Sequence, residues 1–250
     1  MEAEIEKATW EKEEAEAEVE IWKYAFGFVE LAVVKCAIEL GIADAIERHG
    51  SPMTLSELSS TLGCVDPSLL NRMMRFLTHR NIFKCVAPTA GYAQTPLSRR
   101  LMRNGKHSMA AFILLQTSPT MLAGWQRLSD RVLDNNKSTE DHHHLGLFGN
   151  NDDEFKNLFH EAMACDAEQI VHAIMEGCRE AFDGVRSLVD VGGGNGTTLR
   201  FLTQACPWII RGINFDLSHA IVVAPICDGV EHVIGDMFLS VPKADAAFLK

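Results

Sequence analysis

The chain has 250 residues, enough for one large domain or two small ones. Apolar residues make up 47% and charged residues 23%, the balance of an ordinary folded protein. The formal net charge of -11 speaks against a nucleic-acid binder, which needs a basic face to displace counterions. Seven scattered cysteines, with no C-x-x-C pair, fit reduced thiols in the cytoplasm better than a disulfide framework. The longest apolar stretch, Ala25 to Val34, is interrupted by Glu30 and is too short to span a bilayer. The first residues are acidic and carry no signal-peptide pattern.

Nine glutamates between Glu2 and Glu20, against Lys7 and Lys12, read as a solvated helix or frayed terminus. From Val19 to Arg48 the spacing predicts one long helix. Ile21, Ala25, Phe28, Val29, Ala32, Val33 and Cys36 recur at three- and four-residue steps and give a broad, buried apolar face. That face suits packing on its own domain or on a second subunit. Thr54 and Glu57 form a capping box for a short helix ending at Gly63. Asp66-Pro67 opens the next helix, and two short strands, Ile82 to Val86 and Tyr92 to Thr95, follow around a Pro88 to Gly91 turn. Helix, helix, hairpin is the winged-helix pattern. Arg72, Arg75 and Arg80 on its second helix allow a DNA-reading role, but the acidic chain favours a scaffold or dimerisation role.

Residues 134 to 153 read as a loop; its histidine row, His142 to His144, is a poor chelate because successive side chains diverge, so no metal site is expected. A helical pattern returns from Asp153 to Phe182. Near Asp183-Gly184 the grammar changes to short apolar strands alternating with helices.

The chemistry lies in Leu188 to Thr198, Leu-Val-Asp-Val-Gly-Gly-Gly-Asn-Gly-Thr-Thr: a buried strand, a glycine turn and a helix. Glycine at 192, 194 and 196 departs from the dinucleotide spacing G-x-G-x-x-G, which would need glycine where Thr197 stands. Asp190, just before the turn, would repel a pyrophosphate and suit a cation. Asp216 ends the next expected strand, Arg211 to Asp216, where an acid can hold a ribose diol. Asp236 ends a third, Val233 to Asp236; it can accept a bond from an adenine amino group, with Met237 against the ring. Each of these acids is equally able to cap a helix; three at successive strand ends favour a cofactor.

Leu188 to Gly196, Gly212 to Leu217 and Gly229 to Lys250 resemble the plant small-molecule O-methyltransferases of the caffeic acid type, over nearly the whole chain. The resemblance implies a winged-helix dimerisation domain (1–110), a helical connector lining the substrate pocket (111–183) and part of a Rossmann-like α/β domain (184–250). It implies transfer of a methyl group from S-adenosylmethionine to a phenolic hydroxyl, in a homodimer with neither nucleic-acid nor membrane partner. It implies Gly192, Gly193, Gly194, Asp216, Leu217, Asp236, Met237 and Lys250 as cofactor contacts, Lys250 through its backbone carbonyl. Phe159, Met163 and Asp166 would line the phenol pocket, with Asp166 where lignin-type members carry histidine; a cationic amine substrate follows as one reading of that acid. The family's general base is a histidine in a Trp-x-x-His-Asp-Trp segment expected after Lys250, so no catalytic residue is assigned here; His160, beside Phe159, is a poor substitute. An inactive, shortened paralogue that still dimerises is the alternative.

Overall fold

The structure is a computed structural model. It describes residues 2–86, 91–133, 153–222 and 224–250, which form two compact units, 1–150 and 151–250. His142 to His144 and the expected turn from Pro88 to Ala90 lie outside the described residues.

In the first unit, α1 (Glu2–Glu39) and α2 (Ile42–His49) replace the single helix expected through Arg48. The break is at Gly41, whose φ of +67° is left-handed and ends the α1 hydrogen-bond ladder. The apolar face of α1 is also less buried than its periodicity predicts. Only its last turns, at Ala37 and Ile38, enter the core, whereas Ile21 is 62% and Phe28 68% exposed. Periodicity reports that a face is apolar, not what covers it.

The next elements follow their caps. Thr54 and Glu57 close the capping box of α3 (Leu55–Leu62), with Thr54 N–H donating to Glu57 Oε2 at 2.8 Å. The Asp66 carboxylate accepts from Ser68 N–H at the start of α4 (Pro67–His79). The strands β1 (Lys84–Cys85) and β2 (Tyr92–Ala93) pair antiparallel, and Met53 bridges to Tyr92. The helix–helix–hairpin order is the one expected. Arg80 is not free to read DNA, since its guanidinium makes a forked pair with Glu30 of α1, with Nε at 2.9 Å from Oε1. Ile38, Ile42, Leu58, Met74, Leu77 and Phe83 form the core between α1 and β1. Among the described residues of this unit, α5 (Pro96–Arg99), α6 (Ala110–Gln116), α7 (Pro119–Gln126) and α8 (Leu128–Leu133) follow.

The second unit starts at α9 (Asp153–Gly177), so the connector expected over 111–183 is divided between the two units. Within this unit α9 packs on α10 (Thr197–Ala205) through Val171, Leu199 and Leu202. The sheet is parallel, in the order β5-β4-β3-β6, with β3 at Ser187–Val191, β4 at Arg211–Asp216, β5 at Val230–Ile234 and β6 at Ala246–Leu249. The short α11 (Ser218–Ile221) follows β4. The third strand therefore ends earlier than expected, leaving Asp236 two residues beyond it.

Leu188 packs with Leu199 and Leu202 on one face of the sheet, while Val189, Val191, Ile213 and Phe215 pack on the other. This is the strand alternation of period two applied to a sheet covered on both faces. The Asp245 carboxylate ties the start of β6 to β3 by accepting from Arg186 N–H at 3.0 Å and Ser187 N–H at 2.8 Å. Among the described residues no helix is long and apolar enough to cross a membrane.

Leu202 is fully buried between α10 and β3. Leu202→Ala is expected to destabilise the second unit by about 3–5 kcal/mol through the cavity it leaves. Hydrogen exchange of the β3 and β4 amides should quicken accordingly, whereas amides of α3 and α4 should keep their rates.

Candidate functional site

Parallel pairing places Asp190 of β3 beside Asn214 of β4, and Asn214 beside His232 of β5. Laterally paired residues share a face, so these three side chains form a polar row across the sheet near the carboxyl ends of the strands. Asn214 is fully buried and Asp190 nearly so. Buried polar groups need partners. Asn214 Nδ2 donates to Gly194 O and to His232 Nδ1, each at 3.0 Å. His232 Nε2 donates to Pro225 O at 2.9 Å, so the ring is the neutral Nε2–H tautomer.

The glycine turn lies directly on this row. A Cβ on Gly193 would stand 2.3 Å from Asn214 Oδ1 and 2.7 Å from Asp190 Oδ2, so only glycine fits there. Those same two oxygens, Asp190 Oδ2 and Asn214 Oδ1, are buried without a hydrogen-bond partner. Two acceptors thus converge on Gly193 with no donor between them. Burial pushes the Asp190 carboxyl up to about 6; Lys250 pulls it down and Asp216 adds to the rise.

Asp216 reaches the turn from the end of β4. Its Oδ2 accepts from Gly194 N–H at 2.8 Å and its Oδ1 from Leu217 N–H at 2.6 Å. A carboxylate accepts about four hydrogen bonds, so these two leave capacity for a diol. Gly192 N–H donates to Phe215 O at 2.9 Å, which locks the first turn residue to β4. Gly235 N–H donates to Asp216 O at 3.0 Å, delivering Asp236 and Met237 beside the same strand end. Asp236 Oδ1 accepts from Phe238 N–H at 2.9 Å and so caps its own turn, and Met237 is 47% exposed.

The structure therefore groups Gly192, Gly193, Gly194, Asp216 and Leu217 tightly, with Asp236 and Met237 following at the next strand end. Phe159, Met163 and Asp166 lie along one side of α9, all half-buried. Asp166 forms an ion pair with Lys250 Nζ. His160, next to Phe159, is exposed. Asn214 and His232 escaped sequence reasoning. The signal was present: both are polar residues inside short strands whose neighbours are apolar, and such residues need a buried partner. Among the described residues, no cluster of three or more His, Cys, Asp or Glu side chains is arranged to hold a metal ion.

A glycine turn between a parallel strand and a helix, with acids at successive strand tips and no dinucleotide spacing, defines a Rossmann-like α/β unit with a candidate cofactor site at its strand tips. The comparisons make this specific. Residues 22–104 match the family model of the O-methyltransferase dimerisation domain, and residues 125–250 that of the O-methyltransferase domain. The chain is 49% identical to acetylserotonin O-methyltransferase of Arabidopsis thaliana, covering 95% of this chain and 66% of that one. It is 43% identical to flavonoid 7-O-methyltransferase 2 of Ocimum basilicum (95% and 69%) and 35% identical to (R,S)-reticuline 7-O-methyltransferase of Papaver somniferum (96% and 71%). Among solved structures, human N-acetylserotonin methyltransferase in complex with SAM has the same fold, with a TM-score of 0.71 at 18% identity over 93% of this chain and 70% of that one. The chain belongs to the O-methyltransferase family. It spans about two thirds of the length of these relatives.

The raised Asp190 carboxyl makes a pH prediction. The folded state keeps a proton that the unfolded chain releases near pH 4, so stability falls as pH rises from about 4 to 6 and is level above. A shift of about two units corresponds to a penalty on the order of 3 kcal/mol at neutral pH. In Asp190→Asn that penalty is absent, and the new amide can donate to Asn214 Oδ1. Urea titrations from pH 4 to 8 should show the variant gaining on the parent up to pH 6 and then holding its lead. Parallel pH profiles would show that Asp190 is not a buried, destabilising carboxylate.

Proposed function

We propose that the chain acts in methyl transfer from S-adenosylmethionine to a phenolic hydroxyl of a small plant metabolite: an alkaloid, flavonoid or phenylpropanoid. The observation that carries this reading is the pair of orphaned buried oxygens of Asp190 and Asn214 under Gly193, with Asp216 alongside. Such a cradle is acidic and offers acceptors only. It suits a cationic nucleoside with an ammonium group and repels a pyrophosphate. The residues present therefore fit the cofactor.

Gly192, Gly193 and Gly194 give the close backbone approach. Asp216 supplies lone pairs for the ribose, Leu217 continues that wall, and Asp236 with Met237 flank the adenine position. Lys250 borders the same site through its backbone. When bound, S-adenosylmethionine brings a methyl group already activated on sulfur, so positioning carries most of the catalysis. Phe159, Met163 and Asp166 supply the aromatic acceptor's wall on α9. His232 is unsuited to serve as the base that deprotonates the phenol, because its Nδ1 is engaged with Asn214 and its Nε2 with Pro225 O.

The exposed aromatic face of α1 supports a homodimer, in keeping with the dimerisation-domain match. Trp22 and Phe26, one turn apart and both exposed, stack at 5.7 Å on one side of the helix. The free cysteines suit a reducing cytoplasmic setting.

Calorimetry with S-adenosylhomocysteine tests the site. The chain should bind it and ignore NAD, and Gly193→Ala should weaken binding at least a hundredfold, about 3 kcal/mol. Labelled-methyl transfer to a panel of catechols and flavonoids then tests the reaction. Binding of NAD without S-adenosylhomocysteine would overturn the assignment. For the assembly, sedimentation should show a dimer that Trp22→Glu with Phe26→Glu converts to monomers; a monomeric parent chain would refute the dimer.

A further inference from the structure

The ion pair between Lys250 and Asp166 links the carboxyl end of β6 to α9 within the second unit. Both side chains are largely shielded, at 32% and 24% relative exposure. Lys250 also acts on Asp190, lowering its carboxyl against the effect of burial. The Lys250 ammonium thus acts on carboxylates of both α9 and β3, and its direct partner is Asp166.

This arrangement bears on which acceptors the α9 face admits. An unpaired aspartate beside Phe159 and Met163 would attract a ligand bearing an ammonium group. A paired one does not, because such a ligand must either displace Lys250 or lie beside it. Displacement strands a half-buried cation, and juxtaposition sets two like charges a few ångströms apart. We propose that the Lys250 side chain is a specificity-determining residue. By neutralising Asp166 it makes the site select neutral or anionic phenols over phenolic amines. This replaces the cationic amine substrate suggested by the sequence, and it rests on α9 forming the acceptor wall.

The test measures binding of three catechols to the full chain saturated with S-adenosylhomocysteine: neutral 4-methylcatechol, cationic dopamine and anionic caffeate. The parent chain should bind dopamine at least about tenfold more weakly than 4-methylcatechol. Lys250→Met keeps the backbone carbonyl and bares Asp166, so the dopamine to 4-methylcatechol ratio should rise about tenfold or more. Lys250→Met combined with Asp166→Asn should return that ratio to within about twofold of the parent value. Reading a ratio cancels any general loss of affinity. If Lys250→Met fails to fold, Asp166→Asn alone leaves the ammonium unpaired and should shift preference about tenfold toward caffeate. Ratios unmoved by these substitutions overturn the proposal. Silence of all three catechols on a chain that binds S-adenosylhomocysteine overturns it too, by removing α9 as the acceptor wall. Failure to bind S-adenosylhomocysteine at all overturns instead the methyltransferase reading on which it stands.

Discussion

The second unit is organised around one packing constraint: a glycine turn laid on a row of polar side chains from three adjacent parallel strands. Asp190, Asn214 and His232 occupy positions that would otherwise be core. The turn can approach them only because Gly193 lacks a Cβ. Gly196 is under similar pressure, since a Cβ there would stand 3.2 Å from the His232 ring. The helix start, the strand tips and the cradle are therefore set by the same contacts. Asp216 completes the clasp from above by holding Gly194 N–H.

That constraint leaves an electrostatic debt within the polar row itself. Asn214 can satisfy its two N–H groups, on Gly194 O and His232, but its oxygen then faces another acceptor. Turning the amide would set its oxygen against the Gly194 carbonyl, which can only accept. The carbonyls of Gly194 and Pro225, which can only accept, thus set the direction of the bonds in the row, ending with two acceptors aimed at Gly193. A fold that buries acceptors in this way is destabilised there and gains most when a donor or cation arrives, which is the behaviour expected of a binding site rather than of a structural core.

Local features were legible in the sequence. The Thr54–Glu57 capping box, the Asp66-Pro67 helix start and the β3–turn–α10 unit each depend on residues only a few positions apart, and their structure follows their chemistry. What could not be read depends on distant partners. Gly41 stands in an unbroken helical periodicity, and only the left-handed turn there reveals two helices. The apolar stripe of α1 is real, yet nothing in its spacing tells an internal core from an interface. The partnership of Asn214 with His232 requires the register of β4 and β5, which a five- or six-residue strand does not disclose.

Lys250 shows why charge pairing changes the meaning of a residue. Read alone, Asp166 is a carboxylate on an aromatic helix face and invites a cation. Read with β6 in place, it is half of an ion pair whose other half also moderates Asp190. The acidic character of the site is therefore graded. It is strongest at Asp190 and Asp216, around the glycine turn, and weakest on α9, where the lysine cancels it. Under the proposed function, a positively charged methyl donor and an uncharged or anionic acceptor are the two ligands that such a gradient would separate.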